Sequence, residues 1–201
     1  MRKIFLCAAA LFAMTGLPLH AAEIGQDAPA FSVKDIDGHS QSLAQYKGKI
    51  VVLEWTNPDC PFVRKHYGSG NMQSVQKFAL GKGVIWLSVN SGAEGKEGFM
   101  DTAAVKAKIA ETHAHQTAYI LDPEGELGRL YGAKATPHMF VVDKNGKLAY
   151  QGAIDDKPTP DPADVKTADN YVKDAITELQ DGKPVAVAQT RAYGCSVKYK
   201  D

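Results

Sequence analysis

The residues best suited to chemistry surround Cys60, where an apolar segment gives way to a polar, helix-like one. The run Ile50–Trp55 reads as a buried strand, and the turn-forming residues 57–59 follow it. Pro61 suits the first position of a helix, where a missing N–H costs nothing. Cys60 is therefore expected at the helix N-cap, where the helix dipole and free backbone N–H groups favour thiolate over thiol. The basic residues 64–66 add positive charge nearby.

The ionisation of this thiol decides whether it is a useful nucleophile. A free cysteine with a pKa of about 8.5 is only about 3% thiolate at neutral pH, whereas a pKa of about 6 makes it roughly 90% thiolate. Part of this gain is lost because a less basic thiolate attacks more slowly. The alternative is that Cys60 is a small, buried and inert apolar residue. The order of strand, proline turn, cysteine and helix favours the reactive thiol.

The overall composition excludes several classes of function. The chain has 201 residues, of which 44% are hydrophobic, and its 23 basic residues balance 23 acidic ones. This length and composition are ordinary for one domain with a sizeable core. The charge balance gives no indication of binding to nucleic acid or to an anionic membrane surface.

The first residues differ from the rest of the chain. Two basic residues precede an apolar run at 4–17, and Ala21 and Ala22 offer a small-residue cleavage site. This pattern is typical of a secretory signal peptide, and the run is short for a membrane-spanning helix. An uncleaved anchor is the alternative. We expect residues 1–22 to be removed and residues 23–201 to form a periplasmic or secreted domain with a C-terminal tail and no transmembrane segment.

Removal of that segment leaves two cysteines, Cys60 and Cys195, in a compartment where disulfides can persist. Two cysteines so far apart in sequence are a structural staple, a working redox pair or two independent thiols. Their spacing alone does not choose between these roles.

Strands and helices alternate along the rest of the chain. The helix after Cys60 is expected to break at 68–70 and to resume at Asn71, and two Xaa-Gly pairs predict hairpin turns. This order predicts an α/β sandwich whose central mixed sheet is covered on both faces, with the working site at the carboxyl end of a central strand. The other predicted elements are strands at 84–90 and 118–121, helices at about 99–112 and 127–131, hairpins around 37–38 and 145–146, and a last helix at about 162–179.

A second candidate region is the run Ala-Thr-Pro-His-Met at 135–139, directly before a predicted strand. Pro137 cannot donate to a sheet, which indicates an edge, a turn or a cis peptide bond. With this run in place, the chain resembles the thioredoxin superfamily, and specifically its peroxiredoxin-like branch of alkyl hydroperoxide reductases and thiol-specific antioxidant proteins. The matching motifs are Ala28-Pro29-Ala30-Phe31, Tyr46-Lys47-Gly48-Lys49 before Val51-Val52-Leu53, Trp55 before Cys60, Tyr131-Gly132 before Thr136-Pro137, and Asp143-Lys144-Asn145-Gly146.

The resemblance implies a thioredoxin-like three-layer sandwich with a central mixed sheet. It also implies that Cys60 is the reactive cysteine and that Pro137 is a cis-proline facing it. Thr136 and Trp55 are the other site residues that it places near the thiol.

Three positions depart from the family pattern. Val63 stands where thioredoxins carry a second cysteine, so Cys60 has no partner within its own helix. Asn57 stands where peroxiredoxins carry a threonine or serine before the reactive cysteine. The catalytic arginine of peroxiredoxins has no clear counterpart, because His138 and Met139 occupy the start of the strand.

The resemblance also implies a function. Some peroxiredoxins use a distant C-terminal cysteine to convert the sulfenic acid into a disulfide, which makes Cys195 a candidate partner of Cys60. We therefore predict a thiol-dependent antioxidant oxidoreductase that reduces peroxides through Cys60, with no bound cofactor and an external thiol as electron donor. Two alternatives stay open: exchange with disulfide substrates, as in thioredoxins, and a non-catalytic binding domain stapled by a Cys60–Cys195 disulfide.

Other polar residues receive simpler interpretations. His66 is expected on a helix surface, and Asp155 and Asp156 in a solvated turn. The spacing of Cys60 and His66 fits no common zinc pattern, so no metal site is predicted. Glu54, inside an apolar strand, is either a buried carboxylate able to accept a proton near the thiol or an edge residue facing solvent.

Overall fold

The computed structural model describes residues 22–201, so the predicted signal peptide lies outside the described residues except for Ala22. The described strands are β1 (Ser32–Lys34), β2 (Ser40–Ser42), β3 (Val51–Trp55), β4 (Ile85–Asn90), β5 (Ala118–Leu121), β6 (Ala135–Thr136), β7 (His138–Val142), β8 (Leu148–Gly152) and β9 (Cys195–Ser196). The α-helices are α1 (Pro61–Gly68), α2 (Asn71–Gly81), α3 (Thr102–Thr112), α4 (Glu126–Tyr131) and α5 (Tyr171–Gln180).

A mixed five-stranded sheet in the order β5-β4-β3-β7-β8 forms the centre of the fold. The strand before Cys60, β3, lies in its middle, where it pairs in parallel with β4 and antiparallel with β7. All five of its residues are buried, as the apolar sequence predicts for a strand covered on both faces. The carboxyl end of this central strand therefore has a fixed position in the fold.

Alternate residues of β3 point into two separate apolar layers, because side chains alternate across a strand. Leu53 and Trp55 pack into one layer with residues of α4 and of the chain before β1. Val52 packs into the other layer, which is closed by α2 and α5. The predicted three-layer α/β sandwich is thus confirmed.

Two helix predictions have different outcomes. The break at 68–70 is confirmed: α1 ends at Gly68, and Gly70 has a φ of 77°, a left-handed conformation that glycine adopts at little cost. The continuous helix at 162–179 is wrong. Its first part is a short 3-10 turn at Pro162–Lys166, and α5 begins only after Asn170, whose side chain accepts the Lys173 N–H at 2.9 Å and caps the helix.

The C-terminal tail, residues 183–201, runs back across the end of the sheet. The Thr190 N–H donates to Gln151 of β8, and the Ala93 N–H donates to Lys198 of the tail at 2.9 Å. Near its end the tail forms β9, which pairs antiparallel with β6. This route brings the tail to the loop before β7. Within the described residues, no helix is long and apolar enough to cross a membrane.

Candidate active site

Cys60 occupies the N-cap of α1, as predicted. Pro61 fills the first helical position, and the Cys60 carbonyl accepts the first helical hydrogen bond, from the Arg64 N–H at 2.9 Å. The turn before it is held by Asn57, whose side-chain oxygen accepts the Asp59 N–H at 2.8 Å. Cys60 itself is 0% exposed. The thiol is therefore held at the mouth of the helix but covered by other parts of the chain.

The loop before β7 supplies one part of this cover. The Thr136–Pro137 peptide bond is cis, one of the three arrangements that the sequence allows for this proline. In its protonated form, the Cys60 Sγ–H donates to the Thr136 carbonyl at 3.0 Å. Thr136 is 2% exposed and lies in the two-residue strand β6. The predicted site residues Cys60, Thr136 and Pro137 thus meet at the carboxyl end of the central strand.

The tail supplies the other part of the cover and brings Cys195 to the same place. Cys195 lies directly opposite Thr136 in the β6–β9 pair, and both cysteines are free thiols. The pairing brings the two side chains near each other, since the Thr136 carbonyl opposite Cys195 lies 3.0 Å from Cys60 Sγ. Gly194, with a φ of 119°, permits this approach, because a Cβ at that position would collide with the Thr136 carbonyl.

The contact between the thiols separates their pKa values. Burial raises the pKa of Cys60, but hydrogen bonds from the Cys195 thiol and from the backbone N–H groups of Val63 and Cys195 outweigh it, so the net pKa is lowered. Burial, the hydrogen bond to Cys60 and the charge of its thiolate raise the pKa of Cys195 to about 12. Of the two thiols, Cys60 therefore loses its proton first, while Cys195 keeps its own.

Trp55, the remaining predicted site residue, lies in the core. It is 0% exposed, its ring packs edge-on against Phe140 with 5.1 Å between centroids, and its Nε1–H donates to the Ser91 hydroxyl at 3.0 Å. It fixes the end of β3 from the face of the sheet that carries α4. Its direct participation in chemistry stays a prediction.

Glu54 lies on the other face of β3, and of the two positions that the sequence leaves open the structure shows the buried one, because Glu54 is 0% exposed. Its carboxylate accepts hydrogen bonds from Tyr67 and Trp86 at 2.8 Å each, from Ser88 at 2.9 Å and from Gln76 at 3.4 Å. Burial raises its pKa, and these four donors limit the rise. All four donors belong to α1, α2 and β4, so this carboxylate ties the central strand to the helix layer.

A second buried polar group was not anticipated, and we call it the Asp155 cluster: Lys65, His66, Asp155 and Tyr193. The expected surface position of His66 and solvated position of Asp155 are wrong, because these residues are 0% and 1% exposed. The Tyr193 hydroxyl donates to Asp155 Oδ1 and lies 3.1 Å from His66 Nε2. Burial and the Lys65 charge lower the pKa of His66 to about 3, so its ring is neutral.

The sequence signal for this cluster was weak for a physical reason. Lys65 and His66 lie on α1, Asp155 follows β8, and Tyr193 lies on the tail, so three distant segments meet only in the folded chain. Lys65 Nζ is 4.0 Å from Asp155 Oδ1 and donates to the Lys157 carbonyl at 2.7 Å. A charged pair on the inner side of a short helix is rare, because burying such groups costs free energy unless they find partners.

A cavity of about 720 Å³ opens beside the loop that leads to Cys60. Its lining includes Thr56, Pro58 and Val63, which flank Cys60 in the chain, and Val105 and Ile109 of α3. This volume lies in the range of ordinary ligand pockets. In the part of the chain that the structure describes, no three His, Cys, Asp or Glu side chains are grouped so as to hold a metal ion.

A central mixed sheet with a cysteine at the N-cap of the following helix, facing a cis-proline, defines a thioredoxin-like redox protein. Comparison with protein-family models agrees: the AhpC/TSA family matches residues 24–151, and the chain belongs to that family. The family resemblance seen in the sequence is thereby confirmed.

Among curated relatives, the thiol-disulfide oxidoreductase ResA of Geobacillus thermodenitrificans is 27% identical over 135 residues, 64% of this chain and 68% of that protein. The ResA protein of Bacillus thuringiensis subsp. konkukian is 28% identical over 133 residues, 63% of this chain and 67% of its own. Both are named for reactions of thiols with disulfides.

Two solved structures confirm the fold. An uncharacterized conserved protein from Geobacillus kaustophilus superimposes with a TM-score of 0.77 at 25% identity, covering 89% of this chain and 93% of that one. A putative thiol:disulfide interchange protein DsbE from Chlorobium tepidum gives a TM-score of 0.54 at 27% identity, covering 65% of this chain and 85% of that one.

Proposed function

We propose that this protein is a thiol-disulfide oxidoreductase in which Cys60 attacks a disulfide substrate and Cys195 completes the exchange. The observation that carries the proposal is that Cys195 lies opposite Thr136, whose carbonyl is 3.0 Å from Cys60 Sγ. In this arrangement the pKa of Cys60 is lowered and that of Cys195 is raised. The names of the curated relatives favour disulfide exchange over the peroxide reduction that the sequence predicted first.

The first step uses the charge on Cys60. Its thiolate attacks one sulfur of the substrate disulfide, which forms a mixed disulfide and releases the other substrate sulfur as a thiolate. The released thiolate then takes up a proton from solvent. The backbone N–H groups at the mouth of α1 favour the ionised form of Cys60 before the attack.

The second step follows from the loss of that charge. Once Cys60 is covalently bound, it no longer carries the negative charge that helps to raise the pKa of Cys195. Cys195 then loses its proton to solvent, and its thiolate attacks the Cys60 sulfur and expels the second substrate thiolate. The products are a reduced substrate and a Cys60–Cys195 disulfide, which an external thiol donor returns to the dithiol form.

Peroxide reduction through the same pair is the rival proposal. It would oxidise Cys60 to a sulfenic acid, which would condense with Cys195 and release water. Two features, at Asn57 and at His138, weigh against it. Asn57 stands where peroxiredoxins carry a hydroxyl residue, and its side-chain oxygen accepts a hydrogen bond from the Asp59 N–H. At the start of β7, burial and the Lys134 charge lower the pKa of His138 to about 4, so no imidazolium is present there at neutral pH.

Stopped-flow oxidation of the fully reduced protein tests this proposal. We expect a peptide disulfide to react with Cys60 at least about tenfold faster than with free cysteine at pH 7, because more of the thiol is ionised. Hydrogen peroxide should be accelerated by no more than the same ionisation factor, because the site offers it no further activation. A rapid reaction with peroxide and a slow one with the disulfide would overturn the proposal in favour of the rival.

The products separate the exchange proposal from the staple alternative. Mass spectrometry after non-reducing digestion should show a Cys60–Cys195 peptide in the oxidised wild-type protein, and Cys195→Ser should instead retain the substrate on Cys60. If the oxidised pair resists dithiothreitol until the protein is unfolded, the bond is a permanent staple and the exchange proposal fails.

We also propose that the protein works outside the cytoplasm as residues 23–201, after removal of residues 1–22. The basic and apolar pattern at the N-terminus supports this proposal. Fractionation of the producing cells, followed by N-terminal sequencing, tests it. Recovery of the chain with Met1 in the cytoplasmic fraction would contradict it.

A further inference from the structure

The exchange chemistry does not use the Asp155 cluster, although the cluster is close to it in the chain. Lys65 and His66 lie one turn into the helix that begins at Cys60, and Tyr193 lies two residues before Cys195. The cluster therefore connects the two segments that carry the two thiols. Burying Lys65 and Asp155 is costly, so a role in the site would account for their presence.

The contact of Tyr193 with the buried carboxylate is the strongest part of this connection. Its hydroxyl donates to Asp155 Oδ1, which also accepts the Lys157 N–H at 3.0 Å. The other oxygen, Oδ2, is buried and has no hydrogen-bond partner among residues 22–201. A buried carboxylate with so few donors holds each of them firmly, because a lost hydrogen bond to a buried charge is not replaced by water.

The ring of Tyr193 adds packing to the hydrogen bond. Its centroid is 5.7 Å from that of Phe62 and 5.6 Å from Lys65 Nζ, both on α1. The residues that follow are less well covered, since Gly194 and Ser196 are exposed. Tyr193 is thus the point where the tail is attached to the Cys60 helix.

This attachment matters because the tail must move during exchange. Cys60 is 0% exposed beneath Thr136 and Cys195, so a substrate can reach its sulfur only when the tail shifts aside. The second step requires Cys195 to return. The rate of that step is proportional to the fraction of time that the tail spends in its attached position.

We propose that Tyr193 is a positioning residue, whose hydroxyl on the buried Asp155 returns the tail to the position from which Cys195 attacks the mixed disulfide on Cys60. The inference rests on the proposed function, since it assigns a role within the second step. It concerns the delivery of Cys195 and assigns Tyr193 no part in the bond changes at Cys60.

Dithiobis(nitrobenzoate) is a suitable probe, because it is a disulfide whose thiolate product is coloured. Attack by the Cys60 thiolate releases one nitrothiobenzoate and leaves the other bound to Cys60 as a mixed disulfide. Attack by Cys195 then releases the second and forms the Cys60–Cys195 disulfide, while the proton of Cys195 goes to solvent. With one equivalent of reagent, the first release reports Cys60 and the second reports Cys195.

Tyr193→Phe removes only the hydroxyl and keeps the ring. We expect its second release to be about tenfold slower than in the wild type, the factor that corresponds to one hydrogen bond to a charged group. The first release should be as fast as in the wild type or faster, because a less firmly attached tail uncovers Cys60 more often. Tyr199→Phe is the matched control, because it removes another tail hydroxyl, one that donates to the Ala133 carbonyl at 2.7 Å without contact with the Asp155 cluster.

The outcomes separate this inference from the proposed function. A wild-type protein that releases only one nitrothiobenzoate would overturn the role of Cys195 itself. Two releases with the same second rate in wild type and Tyr193→Phe would overturn only the positioning role. Equal slowing by Tyr193→Phe and Tyr199→Phe would overturn it as well, because the effect would then belong to the tail in general.

Discussion

The two thiols meet in space but are held by very different parts of the molecule. Cys60 follows a central strand with all of its residues buried and begins a helix, so its position is fixed by the core. Cys195 lies in a two-residue strand of the tail, between the exposed residues Gly194 and Ser196. The difference agrees with the division of roles that we propose, in which one sulfur is held in place as the nucleophile and the other is delivered to it.

The central strand and the tail are each held by a buried acid. Glu54 binds the central strand to the helix layer through four uncharged donors. Asp155 binds the tail through Tyr193, and its other oxygen has no hydrogen-bond partner in the part of the chain that the structure describes. The first arrangement stabilises the whole fold, whereas the second governs a segment that has to move. The following predictions test this comparison.

The largest expected effect separates the two cysteines by their roles. Cys60→Ser should reduce the rate of disulfide exchange by at least about a thousandfold, because a serine hydroxyl is a far weaker nucleophile than a thiolate. Cys195→Ser should retain the first step and stop at the mixed disulfide. Quenched-flow mass measurements distinguish these outcomes. Equal loss of the first step in both variants would show that the two thiols are not divided in this way.

The next effect concerns the fixed region. Glu54→Leu should lower the free energy of unfolding by about 3 kcal/mol or more, because it leaves the buried Trp86 Nε1–H and its neighbours without an acceptor. Glu54→Gln keeps an acceptor and should cost much less. Urea unfolding measures both, with Tyr199→Phe as a tail control. A loss in Glu54→Leu no larger than that of the control would contradict the structural role of Glu54.

The same carboxylate gives a pH dependence whose sign is fixed. Burial raises the pKa of Glu54 in the folded protein above its ordinary value of 4.5. Its contribution to stability is therefore fully present below about pH 4.5 and is lost as the pH rises through the folded pKa, because the unfolded chain ionises first. Relative to Glu54→Gln, the wild type should become less stable over that window. A rise in relative stability would contradict the direction of the shift.

A smaller effect is expected from the influence of Cys195 on the ionisation of Cys60. In Cys195→Ala the Cys60 thiolate loses a side-chain donor, so the midpoint of its pH-dependent alkylation should move upward. In Cys195→Ser a hydroxyl donor remains, so the midpoint should stay closer to that of the wild type. If the midpoints of both variants equal that of the wild type, the tail does not contribute to the ionisation of Cys60.

The smallest expected effect is at Thr136. Its hydroxyl donates to the Cys195 carbonyl at 3.4 Å and also helps to lower the pKa of Cys60. Thr136→Val should therefore raise the alkylation midpoint slightly and reduce stability by less than about 1 kcal/mol. A larger effect than that of Cys195→Ala would mean that the loop, rather than the tail, controls the thiol.

The parts of this site that local signals encode were predictable from the sequence. A buried strand, a turn and a proline after Cys60 are neighbours in the chain, and the N-cap position follows from them. The unusual backbone at Pro137 is also predictable from the local sequence, because a proline has no N–H to donate to a sheet. The position of Cys195 came only as an implication of family resemblance, since nothing between residues 60 and 195 fixes their distance.

The rest required the folded chain. The Asp155 cluster joins three distant segments, and burial of Lys65 and His66 contradicts the usual exposure of such residues. The sequence left Glu54 open between a buried and an edge position, because only its four donors compensate its burial. The predicted final helix begins too early. Its apolar stripe continues through Asn170, but the side chain of Asn170 caps the start of a separate helix.

Gly194 has a consequence that reaches beyond its own conformation. It lies between Tyr193 and Cys195 with its Cα against the Thr136 carbonyl, where any larger residue would need space that backbone atoms already fill. Exchanging one hydrogen for a methyl group there would force the two sulfurs apart while leaving both chemically intact. The spacing on which a two-sulfur reaction depends is thus encoded at a position that carries no reactive atom.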